Sequence, residues 1–283
     1  MNRFLSYLAI LIITLSSQTA LAHIGYTNRN LGTFNVVGTL VTGSNNSGSL
    51  VSSGSSATVT ITNQNTREAG WANGTDARFG DSHVLRAYRF TLVTPAIVTI
   101  EIVGLDYTSG ISFSALEHPA FSLFQGLAHL APAAADHDSS PISQAWLTAL
   151  VGAGNYDGAF NALGSWKIGS DDGITFADLT SFLYVGHAAD GTAANYGSAS
   201  GINGDGVADG FVTATLSLGA GDYSLFAGGG NFAGVSSSSY GYEVALTVVP
   251  EPSVAGLIGL AGAAGWITLR RRMVKRPQPA DKS

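Results

Sequence analysis

Period-two alternation is the feature that most narrows what this chain can become. Residues 97–103 read Ile-Val-Thr-Ile-Glu-Ile-Val, and residues 240–248 read Tyr-Gly-Tyr-Glu-Val-Ala-Leu-Thr-Val. Successive side chains of a strand point to opposite faces. Val98, Ile100 and Ile102 therefore share one face, and Ile97, Thr99, Glu101 and Val103 take the other. Tyr242, Val244, Leu246 and Val248 likewise line a single face. A strand with one apolar face needs a second layer to bury it against.

Similar short runs recur between clusters of Gly, Ser, Asn and Asp. Phe34–Val41, a turn through Gly43–Ser49 and Ala57–Thr62 predict a hairpin. Leu85–Val93, Ile97–Val103 and Ala120–Phe124 predict further strands, and Phe211–Leu218, Gly221–Ala227 and Tyr240–Val248 a closing meander. Such spacing predicts an all-β fold, an antiparallel β-sandwich or jelly roll. Residues 139–210 read differently. Ser140-Pro141 pairs an N-cap residue with proline in the first helical turn. Ile142, Ala145, Trp146, Ala149 and Leu150 follow at helical spacing, so a short helix is expected over 141–151. Asp178–Val185 fits a helix or a strand, and Gly186–Gly210 reads as loop. No repeat of fixed period is visible.

Both ends carry targeting patterns. Arg3, the apolar Leu5–Leu15 and Ala20-Leu21-Ala22 read as a secretory signal peptide over 1–22, with the mature chain beginning at His23. Near the other end, Ser253–Leu269 is a stretch of seventeen residues, apolar or glycine apart from Ser253 and Thr268. At ~1.5 Å per residue that is the lower limit for a transmembrane helix. Pro250 and Pro252 interrupt the approach from the preceding strand, and Arg270, Arg271 and Arg272 supply a positive cytoplasmic stop. Val249-Pro250-Glu251-Pro252-Ser253, the Gly-rich apolar run and the Arg cluster together resemble a PEP-CTERM sorting signal, over residues 249–276. That resemblance implies Sec export in a Gram-negative bacterium, transient anchoring in the inner membrane and processing near Pro250-Glu251-Pro252 by an exosortase. The expected layout is a signal peptide (1–22), an ectodomain (23–249), a sorting signal (250–276) with its helix at 253–269, and a cytoplasmic tail (277–283).

The basic tail hides the charge of the body. Residues 23–249 hold 6 basic and 17 acidic residues, a net charge of −11. Such a surface disfavours nucleic acid and favours divalent cations. With no cysteine in the chain, thiol catalysis, thiolate metal sites and a disulfide-stapled mini-fold are excluded. Leu85–Leu92, Val98–Ile100 and Ala120–Phe124, then Val212–Leu216, Gly219–Gly228 and Tyr240–Val248, resemble the two halves of a bacterial pre-peptidase C-terminal domain. This resemblance implies a small jelly-roll sandwich that serves adhesion or substrate contact without catalysis, and makes residues 139–210 an insertion between its halves.

Three groups of residues could carry chemistry. Asn203-Gly204-Asp205-Gly206-Val207-Ala208-Asp209-Gly210 places Asn203, Asp205 and Asp209 at the spacing of a calcium loop, where oxygens converge on a hard cation and glycine allows the sharp turn. It lacks the bidentate Glu of an EF-hand: that position is Val212. Asp171, Asp172 and Asp190 lie in similar turns and join such a site only if the fold gathers them. His23, as a mature N-terminus, offers an amine and an imidazole; His83, His118, His129, His137 or His187 could complete a copper site. Asp136-His137-Asp138 has the residue types to bind a metal but reads first as a polar loop cap. Trp71, Trp166 and Tyr196 sit among small polar residues and are candidates for a carbohydrate-stacking platform.

Hydrolase, P-loop and dinucleotide motifs are absent. The sequence therefore predicts a non-catalytic protein of the cell surface or the exopolysaccharide matrix, with calcium as candidate cofactor and extracellular polysaccharide as candidate partner. The alternatives are a carbohydrate-binding module and a copper-dependent oxidase built on His23.

Overall fold

Alternation calls for two layers, and the computed structural model of the chain supplies them. It describes residues 24–251 except 36–39, 43–48, 54–55, 69, 73–78, 129–135, 138–139, 155, 157, 171–178, 193–195, 197–200, 203 and 231–237. The expected signal peptide, His23, Pro252, the expected helix 253–269 and Arg270, Arg271 and Arg272 lie outside the described residues. Among the described residues no helix is long and apolar enough to cross a membrane.

The strands are β1 (Asn30–Phe34), β2 (Leu40–Thr42), β3 (Ser49–Ser53), β4 (Ser56–Thr66), β5 (Phe79–Asp81), β6 (Arg86–Leu92), β7 (Ala96–Gly104), β8 (Tyr107–Ser109) and β9 (Ile111–Phe113). They continue as β10 (Pro119–Gln125), β11 (Asp136–His137), β12 (Ala159–Asn161), β13 (Trp166–Ser170), β14 (Leu179–Ala189), β15 (Phe211–Leu218), β16 (Gly221–Gly229) and β17 (Tyr240–Pro250). Eight strands form one sheet in the order β11-β13-β14-β10-β16-β6-β1-β2, and five form a second in the order β15-β7-β17-β4-β3. The chain is thus an all-β, two-sheet sandwich with one short helix. Pairing is antiparallel throughout the two sheets except for β1 with β6, which run parallel.

Two sequence expectations are corrected by this topology. The segment 34–62 forms two hairpins in different sheets, β1–β2 and β3–β4, in place of one. The last three strands do not meander. β16 belongs to the larger sheet, while β15 and β17 flank β7 in the smaller one. Each of the three carries a face that must be buried, and crossing between sheets turns all of those faces inward.

Between the sheets, Val98, Ile100, Ile102, Val244, Leu246 and Val248 from the smaller sheet meet Tyr88, Phe90, Phe121, Leu123 and Leu225 from the larger. The predicted face assignment of β7 holds: Val98, Ile100 and Ile102 are buried and Ile97 is exposed. Strands β10 and β16 are different, because both of their faces are covered. Their other faces project Phe124 and Phe226 into a second core with Phe160, Trp166 and Phe182. Phe226 meets Phe124, Phe160, Trp166 and Phe182 at ring-centroid distances of 5.5, 5.1, 5.7 and 5.5 Å.

Phe160, Trp166, Ile168 and Phe182 bring the described part of residues 140–189 into this second core, alongside Trp71 and Tyr196. The ambiguity over 178–185 resolves to strand from Leu179 onward, and β14 runs on through Gly186–Ala189, part of the expected loop. Helix α1 (Pro141–Val151) is capped as expected, with the Ser143 N–H donating to Ser140 Oγ at 3.3 Å. Its buried face is Ser143 and Leu147, whereas Ala145, Ala149 and Leu150 are exposed. The expected apolar face is therefore rotated, because Ser143 Oγ accepts the Gly169 N–H of β13 at 2.7 Å and that bond faces the helix toward the strand. A Cβ on Gly169 would lie 2.1 Å from Ile142 Cγ2, so only glycine admits the helix this closely.

Replacing Phe226 by alanine removes the ring at the centre of the second core and should lower unfolding stability by about 3–5 kcal/mol, read from chemical denaturation.

Candidate metal centre

The end of β14 and the loop that leads into β15 meet at Asp190. Asp205 N–H donates to Ala189 O at 3.0 Å and Gly206 N–H to Gly191 O at 3.1 Å, so the two segments run side by side. This approach needs bare backbone: a Cβ on Gly204 would lie 1.9 Å from Gly191 O. Gly206 turns the chain at φ +98°, a left-handed conformation that glycine adopts without strain.

The pairing gathers Asp190, Asp205 and Asp209, each of which places one carboxylate oxygen within 4.8 Å of the others. Asp190 is buried; Asp205 and Asp209 are exposed. Each carboxylate is held by backbone. Asp190 accepts the N–H groups of Asp209 and Gly210, both at 3.1 Å. One oxygen of Asp205 accepts those of Gly191 and Val207, both at 3.1 Å. Asp209 accepts Phe211 N–H at 3.2 Å. Tyr196 roofs the site, its hydroxyl donating to the backbone oxygen of Asp190.

Burial pushes the Asp190 carboxyl above its ordinary value; the two N–H donors pull it down, and the charges of Asp205 and Asp209 push it up. Burial also raises the Tyr196 hydroxyl, with Asp190 and Asp205 adding to the shift. Three clustered carboxylate oxygens are the donor set of a hard cation, and a divalent ion would remove the repulsion among them. The group could hold a metal ion.

Of the sequence candidates, Asp205 and Asp209 are brought together, and Asp190 is the member the fold recruits. Asn203, Asp171, Asp172, Asp138 and His129 lie outside the described residues. Pro250 ends β17 opposite Ala96. Glu251 is exposed and accepts a hydrogen bond from Ser217 Oγ.

Trp71, Trp166 and Tyr196 do not form a platform. All three are among the largest fully buried side chains. Trp71 Nε1 donates to Ser122 Oγ at 2.7 Å, and Trp166 stacks on Phe182 at 5.2 Å. Small polar neighbours in sequence therefore do not signal exposure of these rings.

His187, one of the five histidines that the sequence offered as a partner in a copper site, sits at an irregularity of β14. The register of β14 against β10 shifts between Leu123 and Phe124. That bulge turns Tyr184 and His187 toward each other, with Tyr184 Oη and His187 Nδ1 2.5 Å apart. The His187 ring lies 5.8 Å from that of Trp71. Burial lowers its pKa, which favours the neutral imidazole. His83 pairs instead with Asp81 at 3.4 Å.

No protein-family model and no curated protein matches the chain. Among solved structures, it is similar to CorA, a surface-associated copper-binding protein important in copper acquisition by Methylomicrobium album BG8. That match has 15% identity, covers 66% of this chain and 93% of that chain, and has a TM-score of 0.43. The chain is also similar to MopE, a secreted protein of Methylococcus capsulatus in which an oxidized tryptophan facilitates copper binding. Here identity is 15%, coverage 61% and 72%, and the TM-score 0.36. Neither likeness assigns this chain a ligand.

The raised Asp190 value carries a sign that can be checked. Its stabilising contribution is fully present below the ordinary carboxylate value of 3.8 and is lost as pH rises through the raised one. In chelator, stability should therefore fall across this group's titration. Asp205→Asn keeps an oxygen for the Gly191 and Val207 N–H groups but removes a charge, and should shrink that fall. Denaturation midpoints between about pH 4 and about pH 7 measure the difference.

Proposed function

We propose that this chain is an exported, non-catalytic β-sandwich protein of the cell surface or extracellular matrix that binds a hard divalent cation, calcium, at Asp190, Asp205 and Asp209. The observation that carries the reading is the convergence of three carboxylates, one of them buried, from two segments of a strongly acidic body. A calcium ion would couple the end of β14 to the start of β15 and so join the larger sheet to the smaller. The role is contact rather than turnover, with the cation fixing a surface loop.

Export and sorting belong to the same reading. They rest on Leu5–Ala22, on Pro250-Glu251-Pro252 and on the apolar segment ending at Arg270-Arg271-Arg272. An exosortase-type enzyme and the inner membrane are the implied partners. A second reading, copper binding, is favoured by His187, whose neutral imidazole sits against Trp71 and Tyr184 and is a ligand type suited to copper.

Calcium at one hundred times its Kd should stabilise the protein by about 2.7 kcal/mol. The rise in Tm should vanish with chelator and in Asp209→Asn. Metal analysis of protein from its own host separates the two readings: stoichiometric copper without calcium would replace the first by the second. Alanine at Pro250, Glu251 and Pro252 should leave an unprocessed, membrane-retained precursor, seen by fractionation; normal release would refute the sorting reading.

A further inference from the structure

Strand β17 runs into the segment that resembles a sorting signal. Val249 pairs with Ile97 and Pro250 with Ala96 of β7, so the first residue of Pro250-Glu251-Pro252 belongs to the smaller sheet. On the other side of β17, the last pair with β4 is Val248 with Ala57. Beyond Val248 the strand therefore has one neighbour, β7, and proline has no N–H to give to it.

Glu251 supplies the hold that Pro250 lacks. Its N–H donates to Pro95 O at 3.4 Å, and its carboxylate accepts from Ser217 Oγ. Ser217 lies on β15, opposite Ile97 of β7. Strand β7 separates β15 from β17, so the Glu251 side chain spans the end of β7 to reach the hydroxyl. Ile97, Ser217, Val249 and Glu251 are all exposed, which places this contact on the solvent face of the smaller sheet. One exposed hydrogen bond adds little to the stability of the sandwich. Its importance lies in the residue it holds.

We propose that Ser217 is a positioning residue for the sorting motif: it holds Glu251 against the folded body and so slows removal of the C-terminal segment. This inference rests on the sorting reading given above. An enzyme that recognises Pro250-Glu251-Pro252 needs the Glu251 carboxylate and the backbone around it for its own contacts. The body already uses both, at Ser217 and at Pro95. Body and enzyme compete for one group, and the enzyme engages the fraction of molecules in which the strand end has come away. Release needs no unfolding of the core, because Val248, the last residue paired on both sides, stays in place. The contact thus tunes a rate.

Two measurements test this. Pulse–chase of the full-length chain in its own host follows loss of the membrane-retained precursor. Amide hydrogen exchange of the purified full-length chain in detergent, detected by NMR, reads the Glu251 N–H without any processing enzyme. Ser217→Ala should speed exchange at Glu251 and shorten the precursor lifetime, each about fivefold. Ser217→Thr keeps the hydroxyl and should return both to wild-type values, with Tm the same in all three proteins. Unchanged exchange at Glu251 in Ser217→Ala would overturn the hold itself. Faster exchange with an unchanged precursor lifetime would overturn its effect on processing. A wild-type precursor that is never processed would bring down the sorting reading and this inference with it, while exchange still reports whether Ser217 holds Glu251.

Discussion

The larger sheet of this protein must be covered on both faces, and most of the structure follows from that. Strands β10 and β16 carry Phe121, Leu123 and Leu225 on one side and Phe124 and Phe226 on the other. Neither side can be left in water: burying one such side chain is worth about 1.5–3 kcal/mol. The five-stranded sheet covers the first face. On the second face Phe124 and Phe226 are buried in a core shared with Trp71, Phe160, Trp166, Phe182 and Tyr196. Residues 140–189 therefore complete a core and extend the sheet through β13 and β14, which makes them structurally continuous with the strands around them.

That requirement also explains where polar groups sit. Ser122 lies on the covered face of β10, and its hydroxyl accepts from Trp71 Nε1 and donates to Ala162 O. Ser224 does the same work on β16, donating to Gly126 O and meeting the Tyr26 hydroxyl. Each buried hydroxyl spends its hydrogen bonds tying the outer layer to the sheet, as low-dielectric burial demands. Tyr196 belongs to this layer and to the acidic loop at once. The layer that seals the sheet thereby positions Asp190 where Asp205 and Asp209 can reach it.

The acidic loop and the β8–β9 hairpin share a backbone support. The peptide of Gly210 gives its N–H to Asp190, and its carbonyl accepts from Gly104 at 2.8 Å, at the base of the hairpin. The two features thus rest on one corner where β7 and β15 pair. A corner fixed by strand pairing holds loop groups more exactly in place than a free loop does.

Alternation in 97–103 and 240–248 was legible because period two is a local property, and it determined the strands, their buried faces and the all-β class. The Ser140-Pro141 cap was legible for the same reason, since a cap depends on residues within one turn. Asp205 and Asp209 were legible from spacing four apart. What sequence could not contain was partnership across distance. Asp190 joins those two only because β14 runs alongside the loop, and Trp71 and Trp166 are buried only because a second layer closes over them. Tyr184 meets His187 through a bulge that no local pattern marks. Sheet order, and with it which aromatic rings face water, is set by long-range burial, and tertiary structure alone decides it.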